Sequence, residues 1–117
     1  VSRSASERLQ DIIDAIARAR IADDRMTQAE EIHDDDGVKV AFESILHNLF
    51  VIGEAVKSLP ISLLEESSDI PWRDIAALRD VIGHHYHRVV PAIIHRTVHV
   101  DLEPLEREVR ELLRRSR

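Results

Sequence analysis

One short stretch of the chain gathers the residue types that phosphate chemistry uses. Between Arg79 and His87 stand a guanidinium (Arg79), a carboxylate (Asp80), two imidazoles (His84 and His87, with His85 between) and the chain's single phenol, Tyr86. On a helix of about 3.6 residues per turn, Arg79, Gly83 and Tyr86 share one stripe, and Asp80, His84 and His87 form the adjoining one. Arginine is permanently charged and meets phosphate oxygens with paired donors. Histidine moves a proton near neutral pH. Such a set could cleave RNA without a metal. A base would take the 2′-hydroxyl proton, the oxygen would attack its own phosphate, and arginine would neutralise the developing charge, leaving a 2′,3′-cyclic phosphate. Gly83 interrupts the stripe at a helix-propensity cost of about 1 kcal/mol relative to alanine, which suggests close approach by a backbone, a partner helix or a substrate. Residue types alone leave a second reading open, in which the polar face is simply solvated.

Other chemistries find less support. His84 and His87 with Asp80, and separately His95 and His99, have helical spacings that can bind zinc or nickel. Neither set shows the further ligand such a site needs, and the His-Glu-x-x-His pattern is absent, so no metal and no cofactor are expected. The acidic run Asp34 to Asp36 before Gly37 fails as a calcium loop because Ile32 stands at the first ligand position; it reads as the acidic cap of a following helix. The absence of cysteine removes disulfides, thiolate metal sites, iron–sulfur clusters and cysteine nucleophiles. Three glycines are too few to write a phosphate-cradling loop, and 3% aromatics make stacking platforms for single strands improbable. A net charge of −6 repels phosphate backbones, so any action on nucleic acid needs a focused positive site. The arginines from Arg107 onward alternate with Glu103, Glu106, Glu108 and Glu111, the pattern of a solvated helix end.

The elements that must position the motif are helices. Leu9, Ile12, Ile13, Ile16 and Ala19 predict a first helix from about Ser4 to Asp23, capped by Ser4 or Ser6, with a further segment from Arg25 to Gly37. Val38, Ala41, Phe42, Ile45, Leu49, Ile52 and Val56, widened by Leu46, Phe50, Val51 and Leu59, predict a central helix from about Val38 to Leu59. Pro60 ends it, and Ser62 to Ser67 is at most a short turn. Pro71 opens the motif helix, with Ile75, Leu78, Val81, Ile82 and His85 on its core face and Trp72 as a core anchor. A last segment from Pro91 is expected to be interrupted near Asp101 to Pro104. The expected fold is all-α, an up-and-down bundle of four to five helices, with residues 1–117 as one domain. No apolar run suits a membrane span and no secretory signal is read at the start, so a cytoplasmic location is expected.

Three blocks carry a family resemblance. Arg79 to Tyr86 fits Arg, four residues, His, one residue, Tyr. Ile52-Gly53-Glu54-Ala55 lies in the central helix, and Ile70-Pro71-Trp72-Arg73 leads into the motif helix. In order and separation these resemble the HEPN superfamily and, within it, the HepT-like toxin family, over about residues 8–113. The resemblance implies a helical bundle that forms a homodimer across a cleft and a metal-independent endoribonuclease with Arg79 and His84 as the catalytic pair. It further implies an RNA substrate and a cognate minimal nucleotidyltransferase antitoxin that adenylylates Tyr86; from their places on the polar helix face, Asp80, Tyr86 and His87 are read as supporting residues. Phosphate and adenylate added beside Arg79 would occupy the place of the RNA phosphate. One position departs from the family, which often has Asn where this chain has Asp80. That carboxylate could pair with Arg79, orient His84 or repel RNA. Glu54 is expected to hold the bundle together as a buried carboxylate. The alternative function is a non-catalytic helical module that binds a nucleotidyltransferase or another partner.

Overall fold

The computed structural model describes residues 3–84, 88–89 and 91–116, and among them every regular element is helical. The order is α1 (Ala5–Glu31), α2 (Asp35–Lys57), α3 (Ile61–Leu64), α4 (Trp72–His84), α5 (Pro91–Arg96) and α6 (Leu102–Arg115). A 3₁₀ turn, Glu65–Ser67, follows α3, and a π-helical turn, Thr97–Asp101, joins α5 to α6. The architecture is the expected all-α bundle.

α1 starts where its cap dictates. Ser4 accepts from the Glu7 amide at 3.1 Å while the Glu7 carboxylate accepts from the Ser4 amide at 3.0 Å, a reciprocal capping box. The helix does not stop near Asp23 as expected. No glycine or proline stands between Ile21 and Glu31, so one helix of 27 residues absorbs most of the segment assigned to a separate element. It ends at Ile32, beyond which His33 takes a left-handed φ of 56°. There the His33 amide donates to Glu30 O at 3.2 Å and the Asp34 amide to Ala29 O at 2.9 Å. Asp34 then caps α2 by accepting from the Gly37 amide at 3.0 Å, the role read from the acidic run.

The core joins the stripes of all the long helices. Leu9, Ile12, Ile16, Ile45, Leu46, Leu49, Ile52, Val56, Val109 and Leu112 are essentially inaccessible to solvent. Trp72 is buried, and its indole N–H donates to Ser67 O at 2.9 Å, which pins the start of α4 to the preceding turn. On α4 only Trp72 and Ile82 are fully buried. Val81, expected in the core, is 47% exposed, because α4 packs on α2 through a narrow stripe and turns Val81 outward. The last segment is not broken: the helical backbone runs on from Pro91 to Arg115, and its irregularity is the π-helical turn Thr97–Asp101, slightly before the expected position and just ahead of Pro104, which has no amide to donate. Arg107, Arg110, Arg114 and Arg115 are each paired with glutamates, so these arginines lie along a salt-bridged helix surface.

Candidate active site

Arg79 is seated on α2 by three residues at i, i+3 and i+4. Gly53 forms the floor: a Cβ built there would lie 2.8 Å from Arg79 Cβ, 3.0 Å from Arg79 N and 3.2 Å from Ile75 O. Only a residue without a side chain lets the two helices meet this closely. Glu54, one position on, accepts from Arg79 Nε. Phe50 supplies the third wall, with its ring centroid 5.9 Å from the guanidinium carbon, within range of a cation–π contact. Asp80 takes the remaining described contact, accepting from Arg79 Nη1 at 3.0 Å. The Glu54 carboxylate first, and Asp80 behind it, hold the Arg79 guanidinium above the ordinary arginine range. Arg79 is thus a fixed, permanently charged group, and its side chain keeps 29% of its surface in solvent.

Glu54 therefore differs from the buried brace expected of it: its side chain is 41% exposed. The pairing with Arg79 that Asp80 could make is present, and its side chain is 56% exposed. His84 is exposed one turn further along α4, and its Nδ1 lies 3.0 Å from the Asp80 backbone carbonyl. That contact is satisfied when Nδ1 carries the proton, which leaves the lone pair of the neutral ring on Nε2, the form a base requires. The backbone, not the Asp80 carboxylate, orients the ring. Tyr86, His87 and His85 lie outside the described residues. Gly83 differs from Gly53, since among the described residues a Cβ there would meet only Phe50 Cε2, at an ordinary 3.6 Å.

Two sets of residues escaped sequence reasoning. Phe50 read as a widening of the core stripe, although its spacing to Gly53 and Glu54 places all three on one side of α2. Asp23 continues the α1 stripe of Ile12, Ile16 and Ala19 and is buried, at 3% exposure. Its carboxylate meets His99 and lies near His95, so the histidine pair has a third donor that sequence separation concealed.

The fold and this face define a class: a helical bundle that presents a clamped arginine and an oriented histidine from a single helix. Residues 3–112 match the family described as Ribonuclease HepT-like. A "Putative RNase" of Caldanaerobacter subterraneus subsp. tengcongensis is 38% identical over 85 residues, covering 71% of this chain and 76% of that protein. A "Putative RNase" of Methanocaldococcus jannaschii is 31% identical over 74 residues, 60% of this chain and 61% of that protein. A "Probable ribonuclease HepT" of Thermococcus cleftensis is 32% identical over 69 residues, 59% of this chain and 63% of that protein. The chain thus spans about three-fifths of the length of the latter two. No solved structure gives a significant match. The chain belongs to the Ribonuclease HepT-like family, and cleavage of RNA is the activity its site must account for.

Proposed function

We propose that the protein is the toxin of a toxin–antitoxin pair and cleaves RNA internally, without metal, through Arg79 and His84. The observation that carries the reading is the pairing of a guanidinium held rigidly by Gly53, Glu54 and Phe50 with a histidine on the same helix whose Nε2 has no partner among the described residues. His84 Nε2 takes the proton of a 2′-hydroxyl. The 2′-oxygen bonds to the adjacent phosphorus, the bond from phosphorus to the 5′-oxygen breaks, and that oxygen leaves with a proton from water. Arg79 faces the charge that builds on the phosphoryl oxygens, the kind of preorganised electrostatic stabilisation that dominates such steps. Its Nη2 makes no hydrogen bond among the described residues and is the edge available to a phosphate, while the two carboxylates compete for the same positive charge.

A second copy of the chain completes the cleft in this reading. Support comes from the outward-facing Val81 and from Gly83, which no contact among the described residues requires to be glycine. Adenylylation of Tyr86 by a nucleotidyltransferase antitoxin is the proposed means of silencing, since it would place a phosphate within the motif of Arg79. The test is cleavage of RNA in EDTA by the parental protein and by Arg79→Ala and His84→Ala, with the product ends identified. The expected result is 2′,3′-cyclic phosphate ends from the parental protein and none from either folded variant. Parental-rate cleavage by both variants would remove the site assignment. An intact mass of the Tyr86 peptide after co-expression with a nucleotidyltransferase tests the silencing.

A further inference from the structure

Away from the motif helix, one side-chain cluster has the composition of a metal site. Asp23 projects from α1 into the core, 3% exposed, and its Oδ2 lies 2.6 Å from His99 Nε2. His95 lies one turn before His99, their ring centroids 4.1 Å apart and the planes tilted by 35°. One donor atom from each of the three residues lies within 4.8 Å of the others. A carboxylate taken out of water needs a compensating partner, and in this arrangement the His99 ring supplies one. A divalent cation would do the same and would engage both imidazoles at once. His95 stands near the end of α5 and His99 in the π-helical turn that follows it, a geometry frequent at functional sites.

We infer that Asp23, His95 and His99 form a binding site for a borderline divalent cation, with zinc as the representative ion. Two imidazoles and one carboxylate are a ligand set that zinc and nickel accept and that magnesium and calcium, which prefer oxygen cages, do not. Donors at about 2.0–2.2 Å from a tetrahedral zinc stand about 3.4 Å apart. The Asp23–His99 pair must therefore open slightly and the wider pairs close, and both histidines are exposed enough to turn. Three protein ligands leave the fourth place to water. The ion would fasten the π-helical turn to α1, on elements that carry neither Arg79 nor His84.

The experiment is a Zn²⁺ titration of the metal-stripped, full-length protein against a chromogenic chelator, with Co²⁺ visible absorption as the signature of the ligand set. One equivalent of Zn²⁺ is expected, with affinity falling more than about 10-fold in His95→Gln and in Asp23→Asn. Zn²⁺ should also raise the Tm of the parental protein and not of these variants. His95 is exposed, so its variant reports even if the Asp23 variant folds poorly. His84→Ala should bind Zn²⁺ as the parental protein does. Loss of binding in His84→Ala with retention in His95→Gln would put the ion on the motif helix and overturn the assignment, as would a parental protein that binds no Zn²⁺ in competition with the chelator.

Discussion

The contact beneath Arg79 permits a sharp test through Gly53→Ala. The new methyl carbon would stand 2.8 Å from Arg79 Cβ and 3.0 Å from Arg79 N, both fixed to the backbone of α4. Carbon atoms in ordinary contact keep about 3.5–4.0 Å, so α4 must retreat by about 1 Å. Overpacking of this kind costs about 1–3 kcal/mol, and alanine returns about 1 kcal/mol of helix propensity. The net loss of stability is therefore small, at most about 2 kcal/mol. Activity should suffer far more, because a displacement of about 1 Å at a positioned group lowers rates by about 100-fold. The assay pairs urea unfolding, followed through the single buried tryptophan Trp72, with single-turnover cleavage of a short RNA. Gly83→Ala is the control within a single chain: among the described residues its methyl meets Phe50 Cε2 at an ordinary 3.6 Å, so stability should rise by about 1 kcal/mol when unfolding is measured at concentrations that keep the chain monomeric. A Gly53→Ala protein that gains stability like the control and cleaves within twofold of the parental rate would refute the idea that this approach positions Arg79.

Asp80→Asn removes one of the two carboxylates competing with phosphate for Arg79; kcat/KM for RNA should rise about two- to fivefold, an effect that shrinks as salt is added. His33→Gly should stabilise the fold by about 1 kcal/mol, read as a rise in Tm, because His33 holds the left-handed conformation that glycine adopts without steric cost. The Arg20 guanidinium beside Glu106, with Arg110 adding to it, holds that carboxyl below its ordinary value of 4.5. A depressed carboxylate stabilises the fold above its unfolded pKa, and the contribution disappears as pH falls through the folded one. Glu106→Gln should therefore lower Tm at neutral pH, with the gap to the parental protein closing as pH drops below 4.5; a gap that persists in acid would contradict this.

The helices were legible because each carries its own periodic stripe. Leu9, Ile12 and Ile16 on α1, and Ile45, Leu49 and Ile52 on α2, are as buried as their spacing predicts. Ser4 and Asp34 cap as their types suggest. Reading failed where the answer depended on a neighbour. Val81 fits the apolar arc of α4, yet the narrow seat against α2 leaves it outside. Glu54 looked like a buried brace because its helix is mostly apolar, and only its meeting with Arg79 reveals a half-exposed clamp. The end of α1 was placed too early because polar residues after Asp23 resemble a boundary, although nothing there breaks a helix. Asp23 and His99 are 76 positions apart, a separation no local pattern bridges.

The short connection between α1 and α2 bears on the order in which the protein assembles. Those two helices, the longest of the bundle, are joined through Ile32 to Asp34 and meet through contacts close along the chain. α6 reaches α1 only from far away, as in the Arg20–Glu106 pair 86 positions apart. Loop-closure entropy favours the local hairpin as the folding nucleus, with the later helices docking onto it. Ile16→Val and Ile45→Val should then slow folding, whereas Ile82→Val on α4 should mainly speed unfolding. The seat of Arg79, formed by Phe50, Gly53 and Glu54, belongs to that early hairpin, and the reactive groups arrive with α4. A chain caught partway through folding thus holds a finished socket without its arginine, and the site is complete only once α4 docks.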